Sequence, residues 1–232
     1  MAIKMSFTGI LLKKTVLTHN VLVLQVEKPK NFTFVAGQFI QLQIPVGDTC
    51  VYRAYSISSA PHMAYLEFCV HLFPDGIGAN YLSSTAVGTT FIFSAALGNF
   101  VHAASDLSPI YGIATGVGIA PVMSLITDEL IAKKNTTPIR LLLGFRSEED
   151  IFWQDRFETL SKTYSNFSYQ ITLSQPKQSH PAILDGRVTS HMPPEKIIDH
   201  FYLCGSVAMV KDVRNHLLSI GTATKAIHFE IF

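Results

Sequence analysis

Residues 116 to 121 read Gly116-Val117-Gly118-Ile119-Ala120-Pro121 and stand between two apolar runs. The run before them, Ile110 to Ala114, has the length and composition of a buried strand. The run after them, Ile119 to Lys133, is typical of a helix. Pro121 falls in the first turn of that helix, where a missing backbone N–H costs little. A strand, a glycine turn and a helix in this order predict an α/β unit.

The same alternation continues to the end of the chain. Further strand-like and helix-like runs follow one another: Ile139–Leu143, Asp150–Lys162, Phe167–Leu173, Phe201–Cys204, Val207–Leu218 and Ala226–Ile231. Strands that alternate with helices predict a doubly wound parallel sheet covered on both faces. Because ligands of such sheets bind beyond the carboxyl ends of the strands, we expect a nucleotide at that edge.

In the first half of the chain, short apolar or alternating runs instead indicate β-strands. Val21 to Val26 is a β-branched apolar run and Phe39 to Ile44 alternates, while Tyr65 to His71 and Thr90 to Ser94 behave similarly. Short strands separated by turn residues predict an antiparallel barrel or sandwich. We therefore expect two domains, a β domain over residues 1–106 and an α/β domain over residues 107–232.

Composition limits the classes of function. The 232 residues are 48% hydrophobic, enough for a sizeable core, and the net charge of +1 gives no electrostatic reason to bind nucleic acid. The three cysteines match no zinc pattern and are too few for a four-cysteine iron–sulfur cluster, so no metal site is predicted. Glycines and prolines interrupt the uncharged stretch from Leu107 to Thr127, so we predict no membrane span. The odd number of cysteines fits a reducing compartment best, so we expect a cytoplasmic protein.

A first candidate site is Arg53-Ala54-Tyr55-Ser56, which follows a strand-like run that ends at Tyr52. Arg53 carries a permanent charge on a planar fork that suits phosphate oxygens. Tyr55 lies two residues further and shares its face on a strand, so a phosphate and a flavin ring can be reached from one side. The alternative is an ordinary barrel strand with a salt-bridged arginine.

Two glycine-rich segments are candidate phosphate sites. Residues 74 to 82 read Pro74-Asp75-Gly76-Ile77-Gly78-Ala79-Asn80-Tyr81-Leu82, and their glycines allow a phosphate to approach the start of a short helix. The alternative there is a turn and a packed helix. The turn at Gly116 has the strand-to-helix context of a dinucleotide site but not the full G-x-G-x-x-G pattern, and tight packing is its alternative.

Two further candidates lie near the end of the chain. Cys204 closes an apolar strand before Gly205, so its thiol is expected to face the ligand crevice and lie against a planar ring. A buried core cysteine is the alternative. The tail, His228 to Phe232, is aromatic and apolar with one carboxylate, so we expect it to dock, and simple core closure is the alternative.

In this order the motifs resemble the ferredoxin–NADP reductase family, which also contains flavin reductases and oxygenase reductase subunits. The likeness spans nearly the whole chain. The matching segments are Val35 to Phe39, Arg53 to Ser56, Gly116 to Pro121, Leu142 to Arg146 with Asp150, Cys204-Gly205 with Met209, and His228 to Phe232. The family fold is an antiparallel flavin-binding β-barrel followed by a nucleotide-binding α/β domain, which agrees with the two periodicities.

The resemblance implies FAD and NAD(P)H as cofactors and gives roles to several residues. Arg53 would meet the flavin phosphates, Tyr55 would pack on the isoalloxazine and Ser56 would hydrogen-bond near flavin N5. The implied catalytic residues are Ser56, Cys204, Glu230 and Phe232. Of these, Cys204 would flank the nicotinamide and Glu230 would support proton transfer. Phe232 would cover the face of the flavin ring on which the nicotinamide must stack. Deletion of Phe232 is therefore expected to tighten nucleotide binding.

The full set of cofactor-binding residues implied by the resemblance is larger. It comprises Arg53, Ala54, Tyr55, Ser56, Val70, His71, Gly76, Ile77, Gly78, Ala79, Thr115, Gly116, Gly118, Pro121, Arg146, Ser174, Gln175, Gly205, Met209 and Phe232. The chain departs from the family at Ala79, where Ser or Thr is frequent, and at Val117, where Thr is common. Gln175 replaces the arginine that plastid-type members use for the 2′-phosphate, and Lys177 or Arg187 are the candidates to compensate.

The predicted function is hydride transfer from NAD(P)H to FAD, followed by single-electron transfer to a protein acceptor such as ferredoxin or flavodoxin. One alternative is an NAD(P)H-dependent reductase of free flavin. A second alternative is an electron-transfer subunit of a larger oxygenase-type complex. The sequence leaves the acceptor, the nucleotide preference and the oligomeric state open.

Overall fold

A barrel forms the first half of the chain. The computed structural model describes residues 6–102, 108–178, 180–193 and 200–231. The strands of the first sheet are β1 (Ser6–Thr18), β2 (Val21–Glu27), β3 (Phe39–Val46), β4 (Thr49–Ser56), β5 (Tyr65–His71) and β6 (Thr90–Ser94). They are antiparallel in the order β4-β3-β6-β1-β2-β5. A bridge between Ile57 and Phe68 joins the two edges, so the sheet curls into a barrel.

Alternating apolar residues give the barrel its core. In β3, Ile40, Leu42 and Ile44 are buried and the residues between them are half-buried, as the period of two along a strand requires. Phe32 and Phe93 fill the interior edge to face, with ring centroids 5.6 Å apart. Helix α1 (Ile77–Ser84) packs against this core. The antiparallel β domain predicted from the sequence is therefore confirmed.

A parallel sheet forms the second half. Its strands are β7 (Ile110–Thr115), β8 (Ile139–Phe145), β9 (Phe167–Leu173), β10 (Ile183–Asp185), β11 (His200–Gly205) and β12 (Ile227–Ile231). Their order is β10-β9-β8-β7-β11-β12, with every described pairing parallel. Helices α2 (Ile119–Thr127) and α3 (Gln154–Thr163) pack on one face and α4 (Val207–Ser219) on the other. This confirms the doubly wound sheet.

Two helix boundaries differ from the prediction. The helix expected to reach Lys133 is α-helical only to Thr127, and a π-helical turn over Asp128–Ala132 follows. The wider turn lets Lys133 lie 3.3 Å from the Asp128 carboxylate and 2.5 Å from that of Glu129, so both buried charges are compensated. The helix expected from Asp150 begins at Gln154, because Trp153 adopts a left-handed φ of 59°.

The domains share an apolar interface. Val21, Val23 and Cys69 of the barrel belong to the same buried cluster as Ile119 and Met123 of α2. The predicted boundary between residues 106 and 107 lies outside the described residues. Among the residues that the structure describes, no helix is both long and apolar enough to cross a membrane, and no group of three or more acidic, histidine or cysteine side chains is arranged to hold a metal.

Candidate functional site

The main cleft has a volume of about 850 Å³ and lies between the barrel and the carboxyl edge of the parallel sheet. His71, at the end of β5, lines it from the barrel side. Thr115, Gly144 and Gly205, at or near the carboxyl ends of β7, β8 and β11, line it from the other. This is the edge at which open α/β sheets bind ligands, as the sequence predicted.

Glycines let the backbones around this edge interlock. A β-carbon on Gly118 would lie 2.3 Å from the carbonyl oxygen of Cys204, and one on Gly205 would lie 2.1 Å from Thr115 Oγ1. Gly116 has a φ of 52°, which a glycine adopts without strain. Neither the Gly116–Gly118 turn nor α2 has a side-chain cap, so the backbone N–H groups here are available to an anionic ligand.

Two buried polar atoms beside the cleft have no partner among the described residues, Thr172 Oγ1 and His71 Nδ1. Burial lowers the pKa of His71, and His19 lowers it further, while Asp150 acts in the opposite direction. A neutral imidazole and a buried hydroxyl therefore face a cleft that contains unused hydrogen-bonding capacity. Because such atoms are costly unless a ligand or water satisfies them, the cleft fits a polar, nucleotide-sized ligand.

A second group of predicted site residues lies on the barrel, where β4 meets α1. A β-carbon on Gly78 would lie 2.4 Å from the Tyr55 hydroxyl and 3.6 Å from Arg53 Cγ, so both side chains reach the start of α1. The N-cap, Gly76, offers no side-chain hydrogen bond, and the Arg53 guanidinium is exposed. Burial raises the pKa of Tyr55 to about 12, with Arg53 acting against it, so Tyr55 is a neutral donor. These residues fit a flavin phosphate.

The two sites meet at a cluster formed by Ser56, Glu230 and Cys204. Ser56 Oγ of the barrel donates to Glu230 Oε2 of β12 over 3.5 Å, and Glu230 is in register with Cys204 of β11. Burial raises the pKa of Glu230 to about 7, which the Ser56 hydrogen bond partly opposes. Burial, and then Glu230, raise the pKa of the Cys204 thiol, so it is protonated and uncharged at neutral pH.

The outer end of the cleft contains the residues that the sequence marked for nucleotide selection. Arg146 Nε donates to Gln175 Oε1 over 2.9 Å. Lys177 pairs with Glu149, and its backbone N–H donates to Glu148 over 2.8 Å. Of the two candidates to compensate for Gln175, the structure therefore places Arg187 at the cleft and Lys177 in an ion pair.

The predicted site residues fall into three groups. One group lines the main cleft: His71, Thr115, Gly116, Gly118, Arg146, Ser174, Gln175, Gly205 and Met209. A second gathers where β4 meets α1: Arg53, Ala54, Tyr55, Ser56, Gly76, Ile77, Gly78 and Ala79. The third group is less open. Val70 is buried in the barrel core, Pro121 is buried in α2 and Cys204 is fully buried. Phe232 lies outside the described residues.

The residues that line the cleft but that the sequence analysis did not identify include His19, Phe73 and Thr172. Phe73 is 63% exposed and packs against His71 with the ring centroids 4.3 Å apart and the ring planes tilted by 51°. Thr172 is a buried hydroxyl between Ile171 and Leu173, near the carboxyl end of β9, and a polar residue between two apolar ones at that end of a strand is the signal that could have revealed it.

Comparisons with known proteins agree with this geometry. Residues 8–102 match the family described as oxidoreductase FAD-binding domain, and residues 113–215 match the oxidoreductase NAD-binding domain. Ferredoxin–NADP reductase B of Sorangium cellulosum is 31% identical over 212 residues, which cover 87% of this chain and 86% of that protein. The anthranilate 1,2-dioxygenase electron transfer component of Acinetobacter baylyi is 30% identical over 208 residues, 88% of this chain but only 59% of its own length.

Solved structures share the fold. A ferredoxin NADP⁺ reductase from Neisseria gonorrhoeae with bound FAD and NADP has a TM-score of 0.85 at 24% identity, covering 97% of this chain and 98% of that one. The Amycolatopsis cytochrome P450 reductase GcoB has a TM-score of 0.90 at 23% identity, covering 98% of this chain and 70% of that one.

The chain belongs to the ferredoxin–NADP reductase family of oxidoreductases. Its two domains are an oxidoreductase FAD-binding barrel and an oxidoreductase NAD-binding α/β domain. The family, the fold and the cofactors that the sequence analysis predicted are thereby confirmed.

Proposed function

We propose that the chain is an NAD(P)H-dependent flavoprotein reductase that delivers electrons to a ferredoxin- or flavodoxin-like protein. The observation that carries this proposal is the contact between Ser56 and Glu230, because it places a proton-exchanging pair where the flavin domain meets the nucleotide domain. We assign the cofactor-binding roles to the two groups of residues described above. We place the boundary between the domains at residues 106 and 107, and we assign the protein to the cytoplasm.

When bound, FAD would supply the capacity to take up a hydride from a reduced nicotinamide and to release the two electrons one at a time. The chain's own residues position and shield this exchange. Arg53 and the N-terminal amides of α1 hold the flavin phosphates, and the Gly116–Gly118 turn holds the dinucleotide pyrophosphate. The glycines at 118 and 205 let the turn after β7 and the turn after β11 pack closely against each other, which fixes the edge of the sheet where the nucleotide binds.

Ser56 and Glu230 handle the proton. With a pKa of about 7, the Glu230 carboxyl holds or releases a proton at Oε2 near neutral pH, and the Ser56 hydroxyl relays it toward the barrel side. Cys204, protonated and fully buried beside Glu230, does not line the cleft, so it supports the cleft wall behind Gly205 from within the fold.

The test is anaerobic stopped-flow mixing of FAD-loaded protein with NADH and, separately, with NADPH. Reduction of the flavin absorption band by at least one nucleotide supports the proposal, and an unchanged band with both would end it. A second mixing step with oxidised ferredoxin or flavodoxin should restore the band faster than free FMN does. Faster reoxidation by free FMN, together with loss of FAD on gel filtration, would favour the free-flavin reductase instead.

A second candidate is the electron-transfer component of an oxygenase-type system. The similarity to the Acinetobacter dioxygenase component favours it, although this chain spans 59% of the length of that protein. The isolated chain would then reduce its flavin but reoxidise slowly with every ferredoxin or flavodoxin supplied. Activity that depends on a co-purifying protein would identify this role.

A further inference from the structure

A bidentate ion pair between an arginine of the α/β domain and a glutamate of the barrel joins the two domains. Arg156 of α3 donates from Nη1 to Glu67 Oε1 over 2.7 Å and from Nη2 to Glu67 Oε2 over 3.0 Å. Glu67 lies in β5 of the barrel and is 3% exposed. Two parallel charged hydrogen bonds define an orientation as well as a distance, which a single contact does not.

Hydrogen bonds within the barrel hold Glu67 in place independently of Arg156. Ser58 Oγ donates to its Oε1 over 3.1 Å and Gln25 Nε2 to its Oε2 over 3.3 Å. Its backbone N–H donates to Ser59 Oγ over 3.0 Å. Residues of β2 and of the segment after β4 therefore hold the carboxylate, so its position is tied to that of the barrel.

Arg156 is equally fixed within the nucleotide domain. Its guanidinium lies over the buried Trp153 ring, 4.5 Å from the centroid, and Trp153 holds the left-handed turn that starts α3. Trp153 packs edge to face on Phe152, which lines the main cleft. The pair thus connects the loop on one side of the cleft to β5, whose last residue, His71, lines the other side.

The rest of the interface constrains the angle between the domains less directly. It is largely an apolar surface, which is not directional. Its described polar contacts include Ser124 Oγ to Ser59 O at 2.7 Å, His62 to Asp128 at 4.0 Å and Ser56 to Glu230 at 3.5 Å. The Tyr202 hydroxyl also lies 2.8 Å from His102 Nδ1 and donates to Val101 O over 3.4 Å, and both of these barrel residues are close in sequence to the predicted boundary between the domains. The Arg156–Glu67 pair is the bidentate contact among those described.

We propose that the Arg156–Glu67 pair is a positioning contact that fixes the angle between the two domains and thereby aligns the nicotinamide with the flavin. The inference rests on the proposed function, because it concerns the hydride step. Neither residue touches the cleft that binds the nucleotide, so loss of the pair should slow the step without weakening nucleotide binding.

The first experiment measures flavin reduction in FAD-loaded protein at increasing NADH and NADPH. Arg156→Gln and Glu67→Gln should each lower the limiting rate about 10- to 100-fold, because small misplacements of reactants are costly. The nucleotide concentration that gives half the limiting rate should not change. The double variant should be no slower than the slower single variant, because the two residues act as one unit. Arg156→Lys should be intermediate, since it keeps the charge but loses the fork.

The matched control is Lys162→Gln, which removes an exposed ion pair with Glu158 on the same helix and should leave the limiting rate unchanged. A second readout needs no turnover. Spin labels at Val87→Cys on the barrel and Asn215→Cys on α4, in a Cys50→Ser background, should give a broader distance distribution once Arg156→Gln is added. Both label positions are exposed.

Normal limiting rates and an unchanged label distance in Arg156→Gln and Arg156→Lys would overturn the inference, even if their melting temperatures fell. In that case the wild-type flavin would still be reduced, and the proposed function would stand. No flavin reduction in the wild-type protein would instead reject both. If Arg156→Gln fails to fold, Arg156→Lys and Glu67→Gln still decide the question through the same two readouts.

Discussion

Ser56 Oγ lies 3.5 Å from Glu230 Oε2, and this contact joins the end of β4 to the last described strand of the chain. A β-carbon on Gly98 of the barrel would also lie 3.2 Å from Glu230 Oε1. Glu230 therefore belongs to the nucleotide domain in sequence and touches the flavin domain in space. This shared position is the reason that its carboxyl loses water and titrates near neutral pH.

The raised pKa of Glu230 should make stability depend on pH. Burial moves this pKa from 4.5 to about 7, so the folded state binds a proton more tightly than the unfolded state. The resulting stabilisation is complete below pH 4.5 and is lost as the pH rises through about 7. Glu230→Gln should remove this contribution. The measurement is the free energy of urea unfolding of flavin-free protein between pH 4 and pH 8, at about half-unit steps.

Ser56→Ala is the matched partner in that experiment. The Ser56 hydrogen bond favours the ionised carboxylate, so its removal should shift the loss of stability to higher pH. Identical pH profiles for the wild-type protein, Glu230→Gln and Ser56→Ala would show that Glu230 does not titrate as proposed.

Gly118→Ala should destabilise the fold and weaken nucleotide binding together. Its β-carbon would lie 2.3 Å from Cys204 O and 2.6 Å from the carbonyl carbon, and neither backbone atom can move cheaply. We expect a loss of about 2 kcal/mol in the free energy of unfolding, as for an overpacked core. Gly116→Asn is the control, because no atom lies within 4 Å of its β-carbon and asparagine tolerates positive φ. Equal stability of the two variants would contradict this assignment.

Local patterns in the sequence were sufficient to predict the layers, the glycine turns and the family. The alternation of apolar residues along the strands and the strand-turn-helix order at Gly116 depend only on residues that are close in sequence. Both can therefore be recognised without a structure. The Ser56–Glu230 and Glu67–Arg156 contacts join residues 174 and 89 positions apart, and no local pattern specifies them. The π-helical turn after Thr127 also escaped prediction, because Lys133 and the buried carboxylates together determine it.

Gly78→Ala should weaken FAD binding. The added carbon would lie 2.4 Å from the Tyr55 hydroxyl and would displace this ring from the start of α1. We expect the dissociation constant of FAD, measured by fluorescence titration of the apoprotein, to rise about tenfold. Ala79→Ser is the opposite test, because it adds a hydroxyl at the third residue of α1, where the chain departs from its family. It should tighten FAD binding about tenfold through one charged hydrogen bond. Unchanged affinity in both variants would place the flavin phosphates elsewhere.

Gln175→Arg should create a preference for nucleotides with a 2′-phosphate. Gln175 now accepts a hydrogen bond from Arg146 Nε, and Lys177 is paired with Glu149, so the ends of these side chains are engaged with protein groups. A guanidinium at position 175 would offer a planar fork to the phosphate and should lower the dissociation constant of 2′-phospho-AMP about tenfold.

Glu149→Gln should lower the dissociation constant of 2′-phospho-AMP about threefold, because it releases Lys177 from an exposed and therefore weak ion pair. Calorimetric titrations with 2′-phospho-AMP and with AMP separate the effects, because AMP lacks the added phosphate and its affinity should stay constant. If both ligands gain equally, the 2′-phosphate does not bind beside Gln175, and Arg187 at the cleft becomes the residue to replace.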